Sequence, residues 1–193
     1  MSSINAGTSI IDLTDHLCAV LKEHMPGRLL EYSEELRTDY QLRVPEQYID
    51  APSDPMDAFR DLNVDAVAAW VVTEGPSTFV RWEADSGQRA RGDQSTRVRV
   101  AVLAREPAGM RLPLLRGRQL LLKEWVRRRA EYYKAAVLDV VSQHGELDTI
   151  LHQVLPVAND AAAVAVEGLG ITSQAAVIFE CRQDILIRRS NWS

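Results

Sequence analysis

Chemistry in this chain would have to rest on four histidines, two cysteines and 27 carboxylates. His16 and His24 stand eight residues apart, as do His144 and His152, so no pair has the one-turn spacing that puts two metal ligands on one side of a helix. Cys18 and Cys181 are isolated, with no Cys-x-x-Cys to begin a zinc site and no second pair to build a disulfide framework. They read as two free, buried thiols. Gly-x-x-x-x-Gly-Lys, Gly-x-Gly-x-x-Gly after a strand, and Gly-x-Ser-x-Gly are all missing. Gly168-Leu169-Gly170 lacks the third glycine and reads as a turn. Glu34-Glu35 and Asp57/Asp61 read as solvated faces. A general-acid pair is a spatial fact that spacing does not reveal. The expectation is a protein with no catalytic residues, no cofactor and no bound metal.

Other charged groups point to contact rather than catalysis. Arg89, Arg91 and Asp93 fall in a polar, glycine-punctuated stretch, Asp85 to Ser95. As the tip of a hairpin, that stretch would order against a partner or stay solvated, and its removal (86–94) would spare the fold. Arg91-Gly92-Asp93 spells an adhesion tripeptide, which reads here as coincidence. Arg127-Arg128-Arg129 lies in a helical pattern. Successive helical residues are splayed by about 100°, so the three do not form one patch. Ion pairs to Glu124 and Glu131, or to a neighbouring subunit's acidic surface, are the expected use. Tyr132 and Tyr133 are adjacent and cannot both point inward, which makes Tyr133 a candidate partner contact. The candidate interface residues are thus Arg89, Arg91, Asp93, Arg127, Arg128 and Tyr133.

The elements that hold these residues follow from periodicity. Ile10, Leu13, Leu17, Val20 and Leu21 recur at helical spacing behind Thr8 or Ser9 as cap, and Pro26-Gly27 is expected to stop that helix. An irregular, aromatic and proline-containing excursion follows at about 28–64. From Val67 the period becomes two, with a turn expected at Glu74-Gly75-Pro76-Ser77, a second strand to Ala84 and a third from Thr96 to Arg105. One face of this sheet is expected to be core and the other wet. A long amphipathic helix is predicted over about 114–143, with Leu121, Trp125, Tyr132, Ala136 and Val140 on one stripe and Arg129 near it. His144-Gly145 ends it. The segment 147–160, with Pro156, reads as a turn or loop. A short strand is expected at Ala163 to Glu167, and a strongly alternating one runs from Ala175 to Arg182. The fold class is α+β: a mostly antiparallel sheet of about four strands, flanked by an N-terminal helix and a long central helix. The 193 residues fit one domain.

The formal charge of −5 and a pI near 5.4 argue against a protein that coats nucleic acid. No apolar run approaches the roughly 20 residues a membrane helix needs, and the first residues do not read as a cleaved signal.

This order of elements resembles the tail-terminator (tail-completion) proteins of tailed bacteriophages. The resemblance is carried by the first helix, the hairpin with its polar tip leading into Arg97-Val98-Arg99-Val100-Ala101-Val102, the helix ending Val137-Leu138-Asp139-Val140-Val141, and the strand Ala175 to Arg182. It covers about 66–187 plus that helix. It leaves out the excursion and the segment 147–160. The resemblance implies a structural protein that closes into a ring, a homohexamer, capping the tail tube and joining it to a neck or connector protein. DNA would pass through the lumen without sequence-specific binding. The implied location is the virion tail or neck, after assembly in the host cytoplasm. The alternatives are another neck or connector component, a small non-phage binding module, or an enzyme whose site is made only in space.

Overall fold

The computed structural model describes residues 12–36, 40–50, 67–84, 89–106, 109, 111–146, 151–166 and 170–188, with side chains for all but 81–84, 89–91, 152, 160–166, 170, 171 and 185–188. Two helices, α1 (Leu13–Leu36) and α2 (Leu122–His144), pack on a five-stranded sheet. Its strands are β1 (Gln47–Asp50), β2 (Val67–Ala84), β3 (Arg89–Glu106), β6 (Leu151–Val166) and β7 (Gly170–Arg188). They lie in the order β1-β2-β3-β7-β6. Only β1 runs parallel to its neighbour, pairing Gln47–Asp50 with Ala68–Val71. A two-residue hairpin of β4 (Leu114–Leu115) and β5 (Arg118–Gln119) stands before α2. The architecture is α+β with an N-terminal and a central helix, and the sheet is larger than the four strands expected.

The first helix starts later and ends later than its sequence suggests. Thr8, Ser9 and Ile10 lie outside the described residues. Asp12 is the cap: its carboxylate accepts the Thr14 amide at 3.1 Å and the Thr14 hydroxyl at 2.7 Å. The Thr14 hydroxyl first, and the amides of Asp15 and Thr14 with it, hold that carboxyl below the usual range against the opposing effect of burial. Pro26 does not stop the helix but sits inside it. Its ring removes one amide donor. The apolar stripe nevertheless continues through Met25, Leu29 and Leu36 against the core. Ser33 then donates to Leu29 O at 2.7 Å and accepts from the Leu42 amide at 2.8 Å, tying the returning chain to the helix. Part of the "irregular" excursion is therefore helix, and part is the edge strand β1. Its residues 51–64 lie outside the described residues.

The expected turn at Glu74–Ser77 is a bulge. Gly75 takes a left-handed φ of 73°, the register shifts between Glu74 and Thr78, and β2 resumes pairing with β3 at Thr78 and Ser95. Gly75 and Pro76 are tolerated because β1 has already ended at Val71, leaving that side of β2 without a strand among the described residues. Two expected strands are thus one. The polar stretch read as a loop is mostly strand too: Ala90–Asp93 pairs with Ala84–Arg81 on one side, and Arg89–Asp93 pairs with Arg188–Asp184 on the other. In the same way, 151–166 is one edge strand, and a register shift beside Pro156 accommodates the missing amide.

The main core lies between helices and sheet, where Val67, Ala69, Val71, Val98, Val100, Val102, Ala175, Val177 and Phe179 meet Leu17, Leu21, Ala136 and Val140. The opposite face is not wholly wet. Ala68, Trp70, Ala101, Leu103 and Ala176 form a second buried cluster with Ile49 beside it. Ala-Ala-Trp-Val-Val is apolar at both parities, the mark of a strand buried on two faces.

Deleting 86–94 therefore removes residues of a central strand, and the expected outcome is loss of the folded state rather than a trimmed loop. Far-ultraviolet circular dichroism and a thermal scan of the deletion, beside the intact chain, measure this directly.

Candidate functional site

The most buried charges form one network. Arg129, fully buried on α2, puts Nη1 2.5 Å from Glu106 Oε1 on β3. Its Nη2 donates to Ala104 O at 2.9 Å, and Nη2 and Nε donate to Ser173 Oγ on β7 at 2.9 and 3.1 Å. The same Glu106 oxygen accepts the Tyr40 hydroxyl and lies 3.3 Å from Arg43 Nη2. Arg43 also donates to Arg105 O. Tyr133 donates its hydroxyl to Arg43 O at 2.7 Å, and Tyr40 sits edge-on to Trp125 at 4.5 Å. Burial, with the Glu106 carboxylate helping, pushes the Tyr40 phenol up to about 12. One carboxylate thus joins α2, β3, β7 and the segment 40–43. An arrangement tied together by so many of its own hydrogen bonds holds a fold together.

Two sequence expectations change here. Arg129 pairs with Glu106 and not with Glu124 or Glu131, which are taken by Arg118 at 3.1 Å and by Lys134. Tyr133 is not a partner contact: it is buried in the core, because Trp125, Arg129, Tyr133, Ala136 and Val140 share the inward stripe. Tyr132 is the half-buried one of the two. Arg129's position on that stripe was the available signal, but which carboxylate it meets depends on the sheet.

A second polar seam joins the helices. Arg28 donates from Nε and Nη2 to Asp139 Oδ2 at 2.9 and 2.5 Å, and Tyr32 donates to the same oxygen. Arg28 also pairs with Glu31 at 2.5 Å, and Tyr32 meets Tyr132 edge-on at 5.6 Å. Burial would raise the Asp139 carboxyl, but Tyr32 and Arg28 outweigh it and hold it below the ordinary range. Nearby, His24 and His144 stack at 3.8 Å, and His16 Nε2 reaches Gly145 O at 3.0 Å, a helix-end contact. No group of three or more His, Cys, Asp or Glu is placed to hold a metal ion among the described residues. Burial pushes the Cys18 thiol up to about 11 and Cys181 to about 12, far from the reactive thiolate range.

Among the described residues, three grooves open at the surface. One of about 620 Å³ is walled by Glu35, Leu36, Leu115, Arg116, Arg128 and Tyr132. A second, of about 390 Å³, shares Arg128 and Tyr132 and adds Glu124, Arg127 and Glu131. A third, of about 470 Å³, lies at the β2 bulge between Glu74, Gly75, Pro76, Thr78, Val80, Ser95, Arg97 and Glu180. Arg127 and Arg128 are exposed, as a contact surface requires. Arg89, Arg91 and Asp93 belong to the far end of β3, away from Ala104 where Arg129 docks. Asp93 is half-buried in register with Arg81 and Asp184, and the side chains of Arg89 and Arg91 lie outside the described residues. Of the candidates, Arg127 and Arg128 are therefore exposed on α2, Tyr133 is in the core, and Arg89, Arg91 and Asp93 lie on the far end of β3. No family model matches the chain, and the search of curated proteins returns no match. No helix among the described residues is long and apolar enough to cross a membrane.

Breaking the Glu106 network from one side strands a buried charge. Glu106→Ala is expected to destabilise the protein by about 3–5 kcal/mol, read as a lower urea midpoint. Arg129→Met combined with Glu106→Leu is expected to cost clearly less than either single change. Asp139 gives a pH signature. Its folded carboxyl is depressed, so its contribution is full above the ordinary range near pH 4 and is lost as pH falls through the lower folded value. Asp139→Asn is expected to flatten the fall of melting temperature between about pH 4 and pH 2.

Proposed function

We propose that the protein is a non-catalytic assembly subunit of a tailed bacteriophage, of the tail-terminator type. Copies close into a ring, a homohexamer on the pattern of that family. The ring caps the tail tube and meets a neck or connector protein in the virion. The observation that carries this reading is the projecting end of the sheet. β2 runs past the point where β1 stops, with β3 and β7 alongside, and Phe79 and Val80 are 60% and 53% exposed there. Exposed apolar side chains on a strand that has no neighbour on that side among the described residues mark an association surface. The helical face, with its grooves and its arginines, is a different surface on a different layer. Two unlike surfaces are what head-to-tail closure of a ring requires. The formal charge of −5 suits a lumen along which phosphate slides without sticking.

A small binding module is the second reading, favoured by the groove between Leu36, Leu115 and Tyr132. Light scattering over a concentration series, then negative-stain imaging with and without purified tail tubes, separates the two. The expected result is a ring, or a monomer that becomes a ring when tubes are added. A monomer indifferent to tubes overturns the terminator reading.

A further inference from the structure

The basic residues are concentrated in one stretch of the chain. Residues 111–134 hold eight basic and two acidic side chains, a local charge of +6, so the remainder of a chain whose formal charge is −5 carries −11. Arg129 is buried on Glu106, Arg118 pairs with Glu124 and Lys134 with Glu131. Arg111, Arg116, Lys123, Arg127 and Arg128 remain exposed and outside any ion pair among the described residues. Arg116 is held on a tight turn at a left-handed φ of 52°, followed by Gly117 at 80°. A side chain rarely adopts that conformation. Between these cations Leu121 and Leu122 are 65% and 41% exposed. The adjoining outer face of α1 is the reverse: Glu23, Glu31, Glu34 and Glu35 are exposed around Leu30, itself 55% exposed. Glu34 and Glu35 join no ion pair among the described residues, although Glu35 shares a groove wall with Arg116 and Arg128.

We propose that the basic, leucine-bearing face at the start of α2 docks on the acidic, leucine-bearing face of α1 in a second copy of this chain. The inference rests on the reading that copies associate, and it adds one pair of surfaces, both on the helical layer and separate from the exposed sheet end around Phe79 and Val80. Both faces have the composition of an interface core with a charged rim: apolar side chains to exclude water and opposite charges to set register and speed encounter. Nucleic acid fits the basic face less well. Phosphates gain nothing from exposed leucines, Glu124 and Glu131 interrupt the cations, and Tyr132, half-buried, is poorly placed for stacking.

Sedimentation velocity on the full chain at about 0.1 M salt, with and without tail tubes, tests this. The variants are Arg127→Glu/Arg128→Glu, Glu34→Lys/Glu35→Lys, and all four together. The expected result is that wild type associates, each double variant associates at least tenfold more weakly, and the fourfold variant recovers. Wild-type assembly is also expected to loosen at about 1 M salt, where screening acts within about 3 Å. All altered side chains are exposed, so melting temperatures should be unchanged. If a variant melts early, Arg127→Gln/Arg128→Gln replaces it with the same expectation. Variants that assemble like wild type overturn the inference while the ring reading stands. Wild type that never associates, even on tubes, overturns both. Binding of duplex DNA that Arg127→Glu/Arg128→Glu abolishes, with assembly untouched, assigns the face to nucleic acid and also overturns the inference.

Discussion

Everything in this fold converges on the carboxylate of Glu106. It lies near the end of the central strand β3, buried, accepts from Arg129 and Tyr40, and pairs with Arg43 at 3.3 Å. Burying a charge is unfavourable by several kcal/mol unless partners replace the lost water. The partners here come from the helix above, the neighbouring segment and, through Arg129, the next strand. The network therefore satisfies a charge and fixes position together. It sets how far α2 is advanced over the sheet and where the chain returning from α1 must lie. Hydrophobic contacts alone, being non-directional, would leave both to slide.

That position determines what the outside can present. With Arg129 turned inward, Arg127 and Arg128 turn outward, since the three are splayed around one helix. With Tyr133 held in the core, Tyr132 lies at the groove where α1 and α2 meet. The polar seam of Arg28, Tyr32 and Asp139 then joins the two helices into one layer. A subunit built this way has a rigid helical face and, at the far end of the sheet, strands that outrun it. The proposed ring draws on both.

Much of the fold was legible in the sequence where one constraint dominates. Alternation identified the strands 96–105 and 175–182, and helical spacing identified the body of α2, because burial on one face is written directly into residue order. The stretch 114–119, read as the start of α2, is the hairpin β4–β5, and Leu121 and Tyr132, read on its inward stripe, are exposed and half-buried. The misreadings cluster at prolines and glycines. Pro26, Pro76 and Pro156 all looked like terminators, yet they lie in a helix, a bulge and an edge strand. In each case neighbours supply enough burial, or the lost amide faces a side without a strand, so local preference yields to packing. The site was less legible. Arg129 was visible near an apolar stripe, but its partner sits on another element, and no spacing rule connects them. Arg127 and Arg128 were visible as surface charges, whereas the acidic face beside them was obscured by expecting Pro26 to end α1.

The sheet topology has a consequence for how the chain is made. β2 with β3, and β6 with β7, are hairpins whose halves emerge from the ribosome close together. The pairing that fuses them, β3 with β7, joins residues separated by the whole of α2 and β6; even its nearest pair, Glu106 and Ile171, spans both. Loop closure of that length is slow relative to local pairing. During synthesis the inner edge of β3 therefore stays bare until β7 appears, and Arg129 has no Ser173 to meet. A nascent chain interrupted before β7 presents an open, valine-rich strand edge, the kind that chaperones hold and aggregates recruit. Pairing of β7 closes that edge and gives Arg129 its Ser173, so the last strand made is the one that completes the central sheet.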